Sequence, residues 1–169
     1  MEDLCWIFLP KFKDAAIKVW GKLDDRMTIG CELKTDKSQN LASLSIPGGC
    51  RPMAMNGETH GFLLYFCREY ILQVTPRLLE LTEEQQEKIM KHEAIHMGFM
   101  NHGKDFFELA EKVGAPFSES NLTNKIRIQA KFGSRYENVG EAETLGEAKI
   151  KVKEYLESHP DCKGLRTQF

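Results

Sequence analysis

No CxxC pair occurs among the five cysteines of this 169-residue chain, which stand at Cys5, Cys31, Cys50, Cys67 and Cys162. An odd count at scattered spacing excludes a disulfide framework and a cysteine zinc ribbon, and predicts free thiols in a reducing compartment. There is no long hydrophobic run. Leu4–Leu9 is apolar but far too short to span a membrane. Acidic Glu2 and Asp3 precede it, and no small-residue cleavage site follows, so a signal peptide is excluded and a buried N-terminal segment in a cytoplasmic protein is expected. Charge of neither sign dominates: 23 basic against 25 acidic side chains give a net charge of -2, which argues against a polyanion as partner of the whole chain. Internal repeats, low-complexity tracts and a phosphate-cradling glycine loop are all missing. What remains is ordinary globular composition, 41% hydrophobic and 28% charged, in a length that suits one domain with a respectable core.

The informative stretch is Lys91–Phe107, KHEAIHMGFMNHGKDFF. Thr82 can cap a helix ahead of it, Gln85 completes a capping box, and Glu83 and Glu84 suit the positive end of the dipole. On that helix His92 and His96 are four residues apart and lie one turn above each other on one face, where two imidazoles can grip one metal ion. Glu93 sits about 100° round the helix from His92, placed to reach a water rather than the metal. A catalytic zinc takes three protein ligands and keeps one position open, and His102 is the candidate third ligand. Five residues separate it from His96, with Gly98 near their start to let the chain leave the helix. Three of the five histidines thus fall within eleven residues, beside the one glutamate the chemistry needs. The spacing predicts one Zn2+ per chain on His92, His96 and His102, with Glu93 as general base.

The segment HEAIHMGFMNHGKDFFELAEKVG resembles the active-site region of SprT-like zinc metallopeptidases, whose pattern is HExxH, a short loop, HGxxF and a helix. Tyr70–Leu79 is similar to the strand and turn that precede that helix in the family. The short gap to His102, with its Asn101–His102 pair, is closer to the related YgjP-like and WLM metal hydrolases. The likeness covers Ile71 to Gly114. It implies a small zincin-like α+β domain acting on peptide bonds, and SprT-like relatives imply protein substrates associated with DNA. The YgjP-like branch implies nucleotide phosphohydrolysis instead. A non-catalytic module held together by zinc, binding protein or DNA, is the third reading, and one that has no use for Glu93. Metzincins share the histidine interval but need glycine where Phe99 stands and a later methionine turn, and no methionine follows Met100.

Around the motif the expectation is an active-site helix on a mainly antiparallel sheet in residues 1–115, and a strand-strand-helix appendix in residues 116–169 packed on the catalytic unit. Phe12, Ala15, Ala16, Val19 and Trp20 mark the core face of a helix over Lys11–Lys22. Thr28–Leu33, Leu41–Ile46, Gly61–Phe66 and Tyr70–Val74 are strand candidates, with Asp36–Asn40 polar between the first two, Pro47-Gly48-Gly49 a breaker and Asn56-Gly57 a hairpin turn. Either Gly61–Phe66 or Tyr70–Val74 is expected to offer an edge to an extended peptide. His60 reads as a loop or surface histidine. A second helix over Lys104–Lys112 carries Phe106 as packing for the His102 loop, and Asp105 as an acid favoured at a helix start rather than an orienting partner of a histidine. In the appendix, KIRIQAKF alternates, turning Lys125, Arg127 and Lys131 to one side as a weak nucleic-acid candidate. Acidic Glu137, Glu141 and Glu143 nearby favour a solvated sheet face. Thr144–Ser158 reads as a helix ended by His159-Pro160. An oxyanion donor is also expected, with Tyr136 and Arg135 as candidates.

Overall fold

The computed structural model describes residues 3–35, 40–57 and 60–169, and the chain forms two compact units, Met1–Leu122 and Thr123–Phe169. In chain order the first holds helix α1 (Leu4–Trp20), strands β1 (Thr28–Leu33), β2 (Ala42–Ser45), β3 (Pro52–Gly57), β4 (Phe62–Cys67) and β5 (Glu69–Val74), then helices α2 (Glu83–Ile95) and α3 (Lys104–Val113). The second holds β6 (Ile126–Phe132), β7 (Arg135–Ala142), α4 (Leu145–Ser158) and β8 (Leu165–Gln168). The class is α+β, as expected.

The apolar N-terminal run and the predicted helix after it are one element. The Asp3 carboxylate accepts from the Cys5 N–H at 3.0 Å, and α1 then runs straight through Pro10. A proline there offers no N–H to the Trp6 carbonyl one turn back. Pro10 and Trp6 both face solvent, where water can satisfy that carbonyl. The buried row Leu4, Phe8, Phe12, Ala15, Ala16, Val19 and Trp20 continues across the break and packs on α2.

The sheet beside α2 has the order β1-β5-β2. It is mixed rather than mainly antiparallel, because β5 pairs parallel with β1 (Thr28↔Glu69) and antiparallel with β2 (Ala42↔Val74). Tyr70, Leu72 and Val74 alternate into the core, as the period of two requires. The strand expected as a possible edge, Tyr70–Val74, is therefore the centre, and β2 is an edge. β3 and β4 form a separate hairpin. Asn56-Gly57, expected as a hairpin turn, instead ends β3 and pairs with Leu63 and Phe62. Residues 36–39 of the polar Asp36–Asn40 segment lie outside the described residues.

All five cysteines are free thiols. Among the described residues, no helix is long and apolar enough to cross a membrane.

In the second unit β6 is central, in the order β7-β6-β8. Gly133 takes φ 64 in the two-residue turn between Phe132 and Arg135, where that sign of φ suits the twist of a hairpin. Thr144 caps α4 by accepting from the Glu147 N–H at 3.0 Å, and His159 ends it. Strand β8 has no counterpart in the sequence reading. The units part at 122/123 rather than 115/116, since Pro116 and Glu119 are bonded into the first unit.

Candidate metal centre

Helix α2 begins as its sequence dictates. Thr82 Oγ1 accepts from the Gln85 N–H at 3.2 Å, and Gln85 Oε1 accepts from the Thr82 N–H at 3.0 Å. The helix then delivers His92 and Glu93 in its last turn, both 3% exposed, with His96 as its C-cap. Its end is tightly tied. The N–H groups of His96, Met97 and Gly98 bond three residues back, to Glu93, Ala94 and Ile95, which narrows the last turn. The Trp20 indole N–H donates to the Ala94 carbonyl at 2.8 Å. The Tyr70 hydroxyl donates to the Met97 carbonyl at 2.7 Å and accepts from the Cys67 N–H at 2.8 Å. Burial pushes that hydroxyl's pKa up, so it stays a donor.

Gly98 is needed at this exit for space rather than for an unusual φ. A Cβ there would lie 2.8 and 2.9 Å from two carbons of the Trp20 ring and 3.0 Å from a Leu64 methyl. Since Trp20 is fully packed and bonded to Ala94, it cannot swing away cheaply. Gly98→Ala is expected to destabilise the fold by about 1–3 kcal/mol, as overpacking does. Urea unfolding, with Trp20 fluorescence as the local readout, measures this.

The three histidines converge. Their ligand atoms all lie within 4.8 Å of one another, and Nε2 of His92 and Nε2 of His102 are 3.2 Å apart. Ligands held at about 2.0–2.1 Å in a tetrahedron lie roughly 3.4 Å apart, so the cluster matches a single ion. The ring tautomers fit as well. His92 Nδ1 faces the Pro116 carbonyl at 2.7 Å and His96 Nδ1 faces the Phe99 carbonyl at 2.9 Å. A carbonyl can only accept, so both Nδ1 atoms carry the proton and both Nε2 lone pairs are left for a metal. Burial keeps the rings neutral. It lowers the His92 pKa to about 4, against the Pro116 bond, and lowers His96 and His102 too. His92, His96 and His102 can together hold a metal ion.

Phe106 forms the floor of the cluster. Its ring centroid lies 4.9 Å from His92 and 4.7 Å from each of His96 and His102, and it is fully buried. Helix α3 holds Phe106 there, starting at Gly103 and closing at Gly114 in the left-handed conformation (φ 73) with the Ala115 N–H bonded to the Ala110 carbonyl at 2.8 Å. Asp105 is exposed in the first turn of α3. Backbone carbonyls orient His92 and His96 instead.

The cluster opens into a cleft of about 430 Å³ between α2, the edge strand β2 and the segment after α3. Glu93 lines it together with Leu44 of β2. Burial foremost, and then the charge of Glu119, raise the Glu93 pKa well above the usual carboxylate range; the nearby Leu44 amide and Lys34 oppose them. Glu119 is the residue the sequence did not disclose. Its carboxylate accepts from the Leu41 N–H at 2.8 Å and the Ala42 N–H at 3.0 Å, and it lines the cleft opposite the histidines. The only hint was a polar Ser118-Glu119-Ser120 directly after the buried Ala115-Pro116-Phe117.

The other candidates lie elsewhere. His60 is half-buried, Nε2 to the Val19 carbonyl at 2.7 Å and Nδ1 to Lys112 at 3.0 Å. Arg127 and Lys131 are exposed on β6, opposite buried Ile126, Ile128 and Ala130, while Lys125 pairs with Glu141 at 3.0 Å. Arg135 and Tyr136 belong to the second unit, where Arg166 covers the Tyr136 ring at 3.8 Å. No protein-family model, curated protein or solved structure matches the chain.

Proposed function

We propose that the chain is a metal-dependent peptidase of the SprT-like kind, with zinc on His92, His96 and His102 and Glu93 as general base. The observation that carries this reading is the buried Glu93 carboxylate beside three converging imidazoles, at the wall of an open cleft. A purely structural metal site gains nothing from such a group and bears the cost of burying it. Three neutral imidazoles without a thiolate suit zinc, and the ion supplies Lewis acidity and eases deprotonation of a water. Glu93 then takes the proton of the attacking water and passes it to the leaving amine.

The lining favours a peptide over a phosphoanhydride. Among the described residues around the cleft the charged groups are Glu93 and Glu119, with neither lysine nor arginine. Apart from the metal ion itself, a polyphosphate would meet two carboxylates in that lining. Beside the histidines runs the edge strand β2, the element an extended peptide would meet first. Any DNA contact, which only the family likeness suggests, would fall to the second unit's sheet, where Arg127 and Lys131 share the outer face of β6 and Arg166 stands on β8. Free thiols suit a cytoplasmic setting.

The test is hydrolysis of casein and of a nucleoside triphosphate by the zinc-loaded chain, with Glu93→Gln as the blank. Glu93-dependent cleavage of casein is the expected result. Glu93-dependent nucleotide turnover without proteolysis would replace this reading with a phosphohydrolase.

A further inference from the structure

The wall of the cleft that faces the histidines is a short turn, and every side chain it offers carries a hydrogen-bond acceptor. Ser118 and Asn121 bridge to each other, with the Asn121 N–H donating to the Ser118 carbonyl at 3.1 Å. Buried Phe117 anchors the turn, its ring edge-on to Phe107 at 5.5 Å. Ser118, Glu119 and Ser120 all line the cleft, and the two serine hydroxyls lie 3.2 Å apart on either side of the glutamate in the chain. Glu119 is half-buried and fixed before any ligand arrives. One of its oxygens accepts from the Leu41 N–H at 2.8 Å and the other from the Ala42 N–H at 3.0 Å, so little rotamer freedom is left to lose on binding.

Those two bonds satisfy the carboxylate without neutralising it. Each oxygen keeps a further acceptor site, and among the described residues no lysine or arginine lines the cleft. Glu93 has its task beside the imidazoles under the peptidase reading; Glu119 has none in the chemistry, so its charge is left for the substrate. We infer that Glu119, with the Ser118 and Ser120 hydroxyls beside it, is a specificity residue that takes a primary ammonium group of the substrate. An ammonium brings three N–H donors around one positive charge, and a carboxylate flanked by two hydroxyls supplies acceptors for all three. The inference rests on the peptidase reading and names its substrate class: a peptide with a cationic nitrogen near the scissile bond, carried by a lysine side chain or by the chain's own amino terminus. A neutral side chain of the same length would cover the Glu119 charge without pairing it, which is unfavourable.

The experiment is a lysine scan with the zinc-loaded full chain. A casein segment is made as an end-capped, fluorescence-quenched peptide with norleucine in place of every lysine and arginine, and one lysine is then walked along it. At one position lysine is expected to raise kcat/KM over norleucine by about 10–100-fold, and Nε-acetyl-lysine there to cancel the gain. In Glu119→Gln, which keeps the length and one acceptor oxygen but no charge, the lysine-to-norleucine ratio is expected to fall toward one. A merely structural role would lower both peptides together and leave that ratio in place. Uncapping the amino terminus separates the two sources: a gain there, with a flat lysine scan, assigns the ammonium to the terminus. Cleavage that is indifferent both to lysine and to a free amine overturns the ammonium site and leaves the peptidase reading standing. A preference undiminished in Glu119→Gln overturns the assignment to Glu119. If neither these peptides nor casein itself is cleaved, both readings fall.

Discussion

Glu93→Gln is expected to lower hydrolysis by about 10²–10⁴-fold while the metal content stays at its wild-type level. Glutamine fills the same space, so the wall of the cleft survives; only the proton acceptor is lost. The same change should stabilise the metal-free chain at neutral pH. Glu93 has a folded-state pKa above its ordinary 4.5, so between those two values the native state holds a proton that the unfolded chain has released. Stability is thus lost as pH rises through that window, and removing the group abolishes the loss. The expected sign is a higher Tm for metal-free Glu93→Gln at pH 7, with the gain fading below about pH 4.5. Calorimetry at pH 4 and pH 7 reads it. An unchanged rate in this variant would remove Glu93 from the chemistry.

His102→Ala is expected to weaken metal binding by more than about 100-fold, beyond the loss typical of removing a group that merely orients a ligand. His102 is the least buried of the three and stands on the loop between α2 and α3, so its loss should leave the two helices in place. Far-ultraviolet circular dichroism should therefore match wild type, while competition with a chromophoric chelator shows the affinity loss. Retained affinity would mean that the third position is filled by another group.

The local signals of this chain were legible where they acted within one or two turns. Thr82 and Gln85 announced the start of α2, the four-residue step of His92 and His96 put both on one face, and Gly114 announced the end of α3. Three features were hidden because their causes are tertiary. The N-terminal helix continues through Pro10 because its apolar row is buried on α2, and packing outweighs one missing hydrogen bond. The role of Gly98 depends on Trp20, whose ring approaches from 78 positions earlier. Glu119 likewise reaches across 78 positions to the Leu41 amide, and no periodicity spans such an interval. The edge position of β2 was equally out of reach, since strand order depends on a parallel pairing of β1 with β5 that no turn signal announces. Strand β8, Leu165–Gln168, carries one apolar residue in four and leaves no alternation to read.

Metal stoichiometry is the most direct test of the central claim. Wild-type chain prepared without chelators, and the same chain stripped and titrated with zinc, should each hold one ion per chain by elemental analysis. Three converging imidazoles, two of them with their Nδ1 protons committed to backbone carbonyls, leave a site for one ion, and His60 and His159 bond to carbonyls elsewhere. A folded chain that takes up no zinc in either preparation would contradict the metal centre, and the hydrolase reading with it.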